Sequence, residues 1–406
     1  MEDTKKVPLL RFPEFSGDWE VRKLKKIASK INSKNRNCTL TNVLTNSAIQ
    51  GIINQDDYFD RDIANKNNLG GYYIVDINDF VYNPRISSNA LVGSLKKNNN
   101  VKGVMSPLYT VFRFKKGVLS FFEQYFETVH WHRYMKNIAN TGARHDRLNI
   151  TNDSFFDLPL PYPFMAEQQK IAGFLTKIDN KIEQLSKKKQ LLENYNKGVM
   201  QKIFSQELMF KDDEGNSYPD WEEKKLGEVG NFKSGTGFPE KEQGGKEGVP
   251  FYKVSDMNLP LNTTEMIEAN HYVSDEQIKR MNLNVIKNKS IVFAKVGAAV
   301  FLERKRKSCD FLIDNNMMAF TPKEANINFI KFLFDTIRLS KYAQIGALPS
   351  YNGSDLKTIK INFPQIQEQI KIANFLTEID KKINLVKKQL TDSKQYKKSL
   401  FQQMFI

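Results

Sequence analysis

The chain has 406 residues, 40% of them hydrophobic, and a formal net charge of +15. This is enough for two or three domains with substantial cores, and an excess of lysine spread along the chain points to a polyanion, nucleic acid or a membrane surface. No apolar run approaches the roughly 20 residues of a bilayer span, the opening MEDTKKVPLL lacks a signal-peptide core, and Cys38 and Cys309 have neither metal-ligand spacing nor the number for a disulfide framework, so a soluble cytoplasmic protein with reduced thiols is expected.

Residues 1–24 end in GDWEVRKL around Trp19. The segment that follows, to about residue 160, has strand-like alternation at residues 72–77 and 109–114. Residues 118–139 form an aromatic-rich helix in this reading, stopped near Gly142 as a C-cap. Residues 158–163, LPLPYP, are an extended lead-in that no helix can cross. A mixed α/β domain over 1–160 is expected.

A long helix over 161–207 comes next. Its apolar residues Ile171, Leu175, Ile178, Ile182 and Leu185, continued by Leu192, Val199 and Ile203 with Lys189 and Asn196 at intervening positions, fall on one stripe at steps of three and four. About 40 residues at 1.5 Å each make a rod of about 60 Å, and the sustained seam predicts a coiled coil.

After the polar linker DDEGNSYPD at 212–220 the plan starts again, with PDWEEKKL around Trp221. Residues 208–363 hold strand candidates at 250–254 and 290–296, a short helix capped by Ser274, an amphipathic helix over about 328–343 and a loop at 346–353. A second long helix over 364–406 carries the matching stripe Ile372, Leu376, Ile379, Ile383, Val386 and Leu390. EQQKIAGFLTKIDNKI at 167–182 and EQIKIANFLTEIDKKI at 368–383 lie 201 residues apart, and Trp19 and Trp221 lie 202 apart, so the repeat spans the chain. Each long helix is the natural partner of the other. Packed antiparallel, they would relate the halves by a pseudo-two-fold axis, the symmetry of a DNA-binding dimer. Phe174 and Phe375, on faces the seam does not use, are expected to be exposed and to take partner proteins.

No catalytic or metal site stands out. SGTGFP at 234–239 lacks the third glycine and the lysine of a phosphate loop and reads as a plain turn. PDWEEKK at 219–225 has the residue types of a metal nuclease, but its counterpart GDWEVRK does not, and a motif that opens each domain explains both better. His130, His132, His145 and His271 lack zinc spacing, and neither a Gly-x-Ser-x-Gly elbow nor the Asn-Pro-Pro-aromatic signature of amino-methyltransferases is found. Basic and polar loops are the candidates for DNA contact: Arg144, Arg147 and Asn149 in TGARHDRLN at 141–149, Lys253, the cluster Arg304, Lys305 and Arg306, and Tyr351 with Asn352 in LPSYNGSD at 348–355. Arginine can bind guanine bidentately and asparagine adenine, while lysine mainly meets phosphate. A solvated surface is the competing reading of each residue, and a basic coiled-coil scaffold that joins proteins is the competing reading of the whole.

The repeated EQQKIAGFLTKIDNKIEQL and EQIKIANFLTEIDKKINLV, their proline lead-ins LPLPYP and INFP, and the segments YKVSDMN at 252–258 and FLIDNNMMAF at 311–320 resemble the specificity subunit of type I restriction-modification systems. The resemblance implies an α+β chain with two target-recognition domains joined by a pair of long antiparallel coiled-coil helices. It implies a non-catalytic reader of double-stranded DNA whose domains recognise the halves of a split, asymmetric site. It also implies two modification subunits docked on the helices, using S-adenosylmethionine to methylate adenine, and restriction subunits using ATP and Mg²⁺. None of those cofactors is expected on this chain.

Overall fold

The computed structural model describes residues 7–58, 66–139, 146–344, 346 and 348–406. The chain divides into two compact units, Met1–Ser186 with Lys388–Ile406, and Lys187–Lys387.

The first unit is built on a four-stranded antiparallel sheet in the order Ala28–Lys30, Thr110–Phe114, Phe80–Asn83, Ser94–Lys97. Alternation along the strands sends Phe80, Tyr82, Phe112 and Phe114 to one core and Val81 and Val111 to another, so both faces are covered. On the first face the helix Leu119–Phe126 stacks Phe122 on Phe114 with ring centroids 4.3 Å apart. The single helix expected over 118–139 is in fact two, Leu119–Phe126 and His132–Ile138. The Thr128 hydroxyl donates to the Tyr125 carbonyl at 2.7 Å and the Trp131 indole N–H to Phe126 at 3.2 Å, which satisfies the last turn from side chains and ends it. The proposed cap at Gly142 lies outside the described residues.

In the second unit the order is Gly230–Ser234, Met317–Pro322, Ser290–Ala294, Lys305–Ser308, again antiparallel throughout. Its sheet too is covered twice, by Ile291, Phe293, Met318 and Phe320 on one side and Val292, Met317 and Ala319 on the other. The amphipathic helix is Ile327–Thr336, capped by Asn326 Oδ1, and a separate 3-10 turn, Leu339–Tyr342, replaces its expected last part. Ser274 caps Asp275–Arg280 as expected, in a reciprocal capping box with Gln277.

Each lead-in is a strand that pairs with the strand after the tryptophan: Pro159–Tyr162 with Glu20–Lys23, and Lys360–Phe363 with Glu222–Lys225. Two-stranded pairs tolerate Pro159 and Pro161 because an edge strand can forgo ladder donors.

The long helices are Met165–Phe204 and Ile366–Met404. In the first unit Ile171, Ala172 and Leu175 share a core with Trp19 and Phe121, and with Leu400, Met404 and Phe405 from the end of the second helix. The Leu10 N–H bonds the Gln403 carbonyl beside the Arg11–Glu167 pair, and further along Lys397 donates to Asp179. Numbers rise along one helix as they fall along the other, so the two are antiparallel there. The second unit repeats this with exchanged parts: Val199 and Ile203 pack with Ile372, Ala373, Leu376 and Ile379, and Asn196 Nδ2 donates to Asp380 at 2.9 Å.

The seam therefore differs from the expected one at its ends. Ile171, Leu175, Ile372 and Leu376 are shared between the partner helix and the globular domain. Ile178 and Ile383 are partly buried on the same cores, Ile379 is buried, Ile182 is half-buried, and Leu185 is buried. Phe174 and Phe375 are not exposed docking residues. Phe12 and Phe210 cover them edge-on, with centroids 5.7 and 5.5 Å apart, and leave both half-buried.

Candidate nucleic-acid interface

The repeated Glu-Gln pair at the start of each long helix fixes each domain on its rod. In the first unit the Trp19 indole N–H donates to Glu167 Oε1 at 3.1 Å, and in the second Trp221 donates to Glu368 Oε2 at 3.0 Å. The next residue bridges three segments. Gln168 accepts the Val118 N–H at 2.9 Å and donates to the Pro163 carbonyl at 2.8 Å; Gln369 accepts the Asn326 N–H at 3.1 Å and donates to Pro364 at 2.8 Å. The tryptophan, the proline lead-in and the Glu-Gln motif are thus one device. Arg11 gives the first copy a bidentate partner for fully buried Glu167, at 2.7 and 2.8 Å. Among the described residues Glu368 has no such arginine, and burial pushes its carboxyl above the ordinary range, partly opposed by Trp221.

On this common mount each unit carries the same two-segment platform. In the first, the chain leaving the strand Phe80–Asn83 is pinned to the segment before the short helix Asn152–Phe156: Ile86 N–H donates to the Asp146 carbonyl at 2.9 Å and Leu148 N–H to Pro84 at 3.0 Å. In the second, the chain leaving Ser290–Ala294 is pinned to the segment before Gly353–Lys357: Gly297 N–H donates to Pro349 at 2.8 Å and Tyr351 N–H to Lys295 at 3.0 Å. The bonding pattern is the same and the side chains differ. The first platform presents exposed Arg85 and Asn149 and half-buried Arg147, with Asp146 loosely shared by the two guanidiniums at 3.7 and 4.0 Å. The second presents Lys295, Phe301, Leu302, Leu348, Ser350 and Asn352.

Several expected contacts fall on these platforms and several do not. Arg147, Asn149 and Asn352 lie there; Asn352 also caps the following helix through Oδ1, accepting the Ser354 N–H at 3.2 Å. Arg144 lies outside the described residues, as does His145. Tyr351 is only 4% exposed and belongs to the core, its ring against Phe293 and its hydroxyl on the Val300 carbonyl at 3.3 Å, so it is not a surface reader. Lys305, 3% exposed, is likewise structural: its ammonium donates to Glu303 and to the Ile337 carbonyl, both at 2.8 Å. Burial pulls the Glu303 carboxyl up, but Lys305 and the Ser340 amide outweigh it and hold it below the ordinary range. Arg306 lies on the same strand with its guanidinium spent on the Asn262 and Lys305 carbonyls, and burial lowers its pKa. Arg304 donates to Asn258, and Lys253 to Gln243. Arg85, Lys295 and Phe301 were not singled out from the sequence, because the bonds that form the platforms join segments about 60 residues apart and leave no local pattern.

The motifs with other chemistries have structural explanations. Gly235 of SGTGFP lies so close to the backbone of Asp314 that a Cβ would meet its carbonyl oxygen at 1.8 Å. Glu222 and Glu223 of PDWEEKK are exposed on a strand, ion-paired with Lys224 and Lys360. Among the described residues no three His, Cys, Asp or Glu side chains are grouped to hold a metal ion, and no helix is long and apolar enough to cross a membrane.

Comparison with known proteins agrees with this architecture. Two segments, 16–194 and 218–393, match the family described as Type I restriction modification DNA specificity domain. Among curated relatives, the type I restriction enzyme MjaVIII specificity subunit of Methanocaldococcus jannaschii is 28% identical over 287 residues, 64% of this chain and 63% of that protein. The MjaIX specificity subunit of the same organism is 26% identical over 235 residues, 55% of this chain and 47% of that protein. The chain thus spans about half to just under two thirds of the relatives it matches. The type I restriction-modification S subunit from M. genitalium has a similar fold, with a TM-score of 0.58 at 16% identity over 98% of this chain and 99% of that one. A chain from a structural study of complex assembly and conformational transition of the type I system scores 0.55 at 12% identity, covering 97% and 98%. With both halves matched, on the same scaffold and around the same platform, the chain belongs to the type I restriction-modification DNA specificity family.

Proposed function

We propose that this chain is the non-catalytic DNA-reading subunit of a type I restriction-modification complex, acting in the cytoplasm on a bipartite, asymmetric target with one domain per half-site. One observation carries the reading: the same hydrogen-bonded platform occurs in both units with different side chains. Two copies of one frame that differ at their reading surface suit two dissimilar half-sites. Arg85, Arg147 and Asn149 supply donors for base edges in the first, and the lysine excess supplies phosphate contacts and a steep salt dependence. The long helices set the distance between readers and dock two modification subunits, with restriction subunits completing the assembly. S-adenosylmethionine, ATP and Mg²⁺ belong to those partners.

The test is a selection from random duplexes with the full chain bound to its modification subunits. A motif with two defined halves around an undefined spacer is expected, and Arg85→Ala with Arg147→Ala should relax one half alone. A continuous motif, or relaxation of both halves together, would refute the assignment.

A further inference from the structure

The second platform carries a feature that phosphate contacts and base-edge hydrogen bonds do not use. Phe301 and Leu302, adjacent at the tip of the turn Ala298–Leu302, are 56% and 60% exposed. The turn beneath them is rigid. Gly297 enters it at φ +86° and Glu303 leaves it at φ +51°, the left-handed region. Val300 between them is buried, and its carbonyl takes the Tyr351 hydroxyl. The Glu303 carboxylate accepts the Leu339 and Ser340 amides at 3.2 and 2.7 Å, locking the turn to its neighbour. Lys295, whose carbonyl takes the Tyr351 N–H, and Arg338 and Lys341, which flank the Leu339–Ser340 amides held by Glu303, have no ion-pair partner among the described residues. At the matching place the first unit has one exposed aliphatic residue, Leu91.

A rigid apolar point in a cationic rim fits a ligand with an anionic outside and an apolar inside that opens in steps. We propose that Phe301 and Leu302 form a wedge that enters a base step of the half-site read by the second domain, unstacking it while the surrounding cations hold the flanking phosphates. The inference rests on the DNA-reading role above and adds to it a local distortion, so that sequence is also read through the ease with which one step opens. An anionic bilayer shares the same outline, but two side chains provide little anchoring when even a full acyl chain binds only marginally.

The test uses the full chain with its modification subunits and target duplexes carrying 2-aminopurine at successive positions. For the wild type, fluorescence should rise at a step in one half-site. In Phe301→Ala/Leu302→Ala that rise should vanish and the Kd should weaken about tenfold, the scale of one lost base-stacking contact; the single Leu302→Ala should retain part of the signal. Both variants alter exposed side chains, and an unchanged circular dichroism spectrum checks folding. If the double variant keeps affinity and signal, the wedge is refuted and DNA reading stands. If the wild-type complex prefers no sequence, the reading beneath it fails as well. If the variant instead loses binding to phosphatidylserine vesicles and keeps its DNA affinity, the tip is a membrane contact and the wedge is refuted.

Discussion

The same substitution at two equivalent positions should have opposite effects on stability. Glu167 and Glu368 both accept an indole N–H from buried positions, but among the described residues only Glu167 faces an arginine. Glu167→Gln keeps an acceptor for Trp19 but removes the charge and the second acceptor opposite the Arg11 guanidinium, whose side chain is 12% exposed and which keeps the Gly17 and Ser16 carbonyls. Breaking one side of such a buried pair costs about 3 kcal/mol, or about a hundredfold in the opening equilibrium. In the other unit, the Glu368 carboxyl is pushed up by burial. A raised folded pKa means that its contribution is fully present below the ordinary carboxylate range and is lost as pH rises through the folded value. At neutral pH the charge is therefore a cost, and Glu368→Gln should stabilise the second unit. Hydrogen exchange on the full chain reads each unit separately. Amides of Leu119–Phe126 should exchange about a hundredfold faster in Glu167→Gln, and those of Ile327–Thr336 more slowly in Glu368→Gln. The second gain should fade as pH falls into the carboxylate range. Effects of one sign in both units would refute the claim that Arg11 distinguishes them.

Other consequences are equally specific. Asn196 stands where the repeat has Lys397, opposite Asp380, whose pKa burial raises; Asn196→Lys should install the missing ion pair and stabilise the second unit by about 1 kcal/mol at neutral pH, visible as slower exchange, with the gain lost on acidification. Lys305→Met and Tyr351→Phe should change thermal stability and leave DNA affinity per folded molecule unaltered, because both side chains are spent inside the domain; a selective loss of one half-site would contradict their placement. Inserting four residues into both long helices should lengthen the tolerated spacer by at most about 6 Å, roughly two base pairs at 3.4 Å each, and an unchanged spacer in a repeated selection would exclude the helices as the ruler.

The scaffold was largely legible because its devices repeat. A tryptophan that must find a buried carboxylate, and a glutamine that must bridge a proline carbonyl and a helix start, keep their identity in both copies, so the displacements of 201 and 202 residues stood out. The ends of the seam were not legible. Ile171 and Leu175 have helical spacing whether they face a helix or a sheet domain, and here they face both. The cover of Phe174 by Phe12 joins residues far apart in the chain and was invisible for the same reason. Composition misled at ERKRK: a charged run looks solvated, yet on the strand Lys305–Ser308 alternation turns Lys305 inward, where a carboxylate and a carbonyl satisfy it. Tyr351 misled because its hydroxyl suggested a polar surface while its ring completes the core behind the platform.

The most direct test is methylated-base sequencing of the host chromosome with and without this gene, read for every methylated motif. Two platforms of one bonding pattern with different side chains predict the loss of one motif, with two unlike halves at a fixed separation and a methylated adenine in each. Loss of a continuous motif, or an unchanged methylation pattern in a strain whose modification subunits are active, would contradict the account.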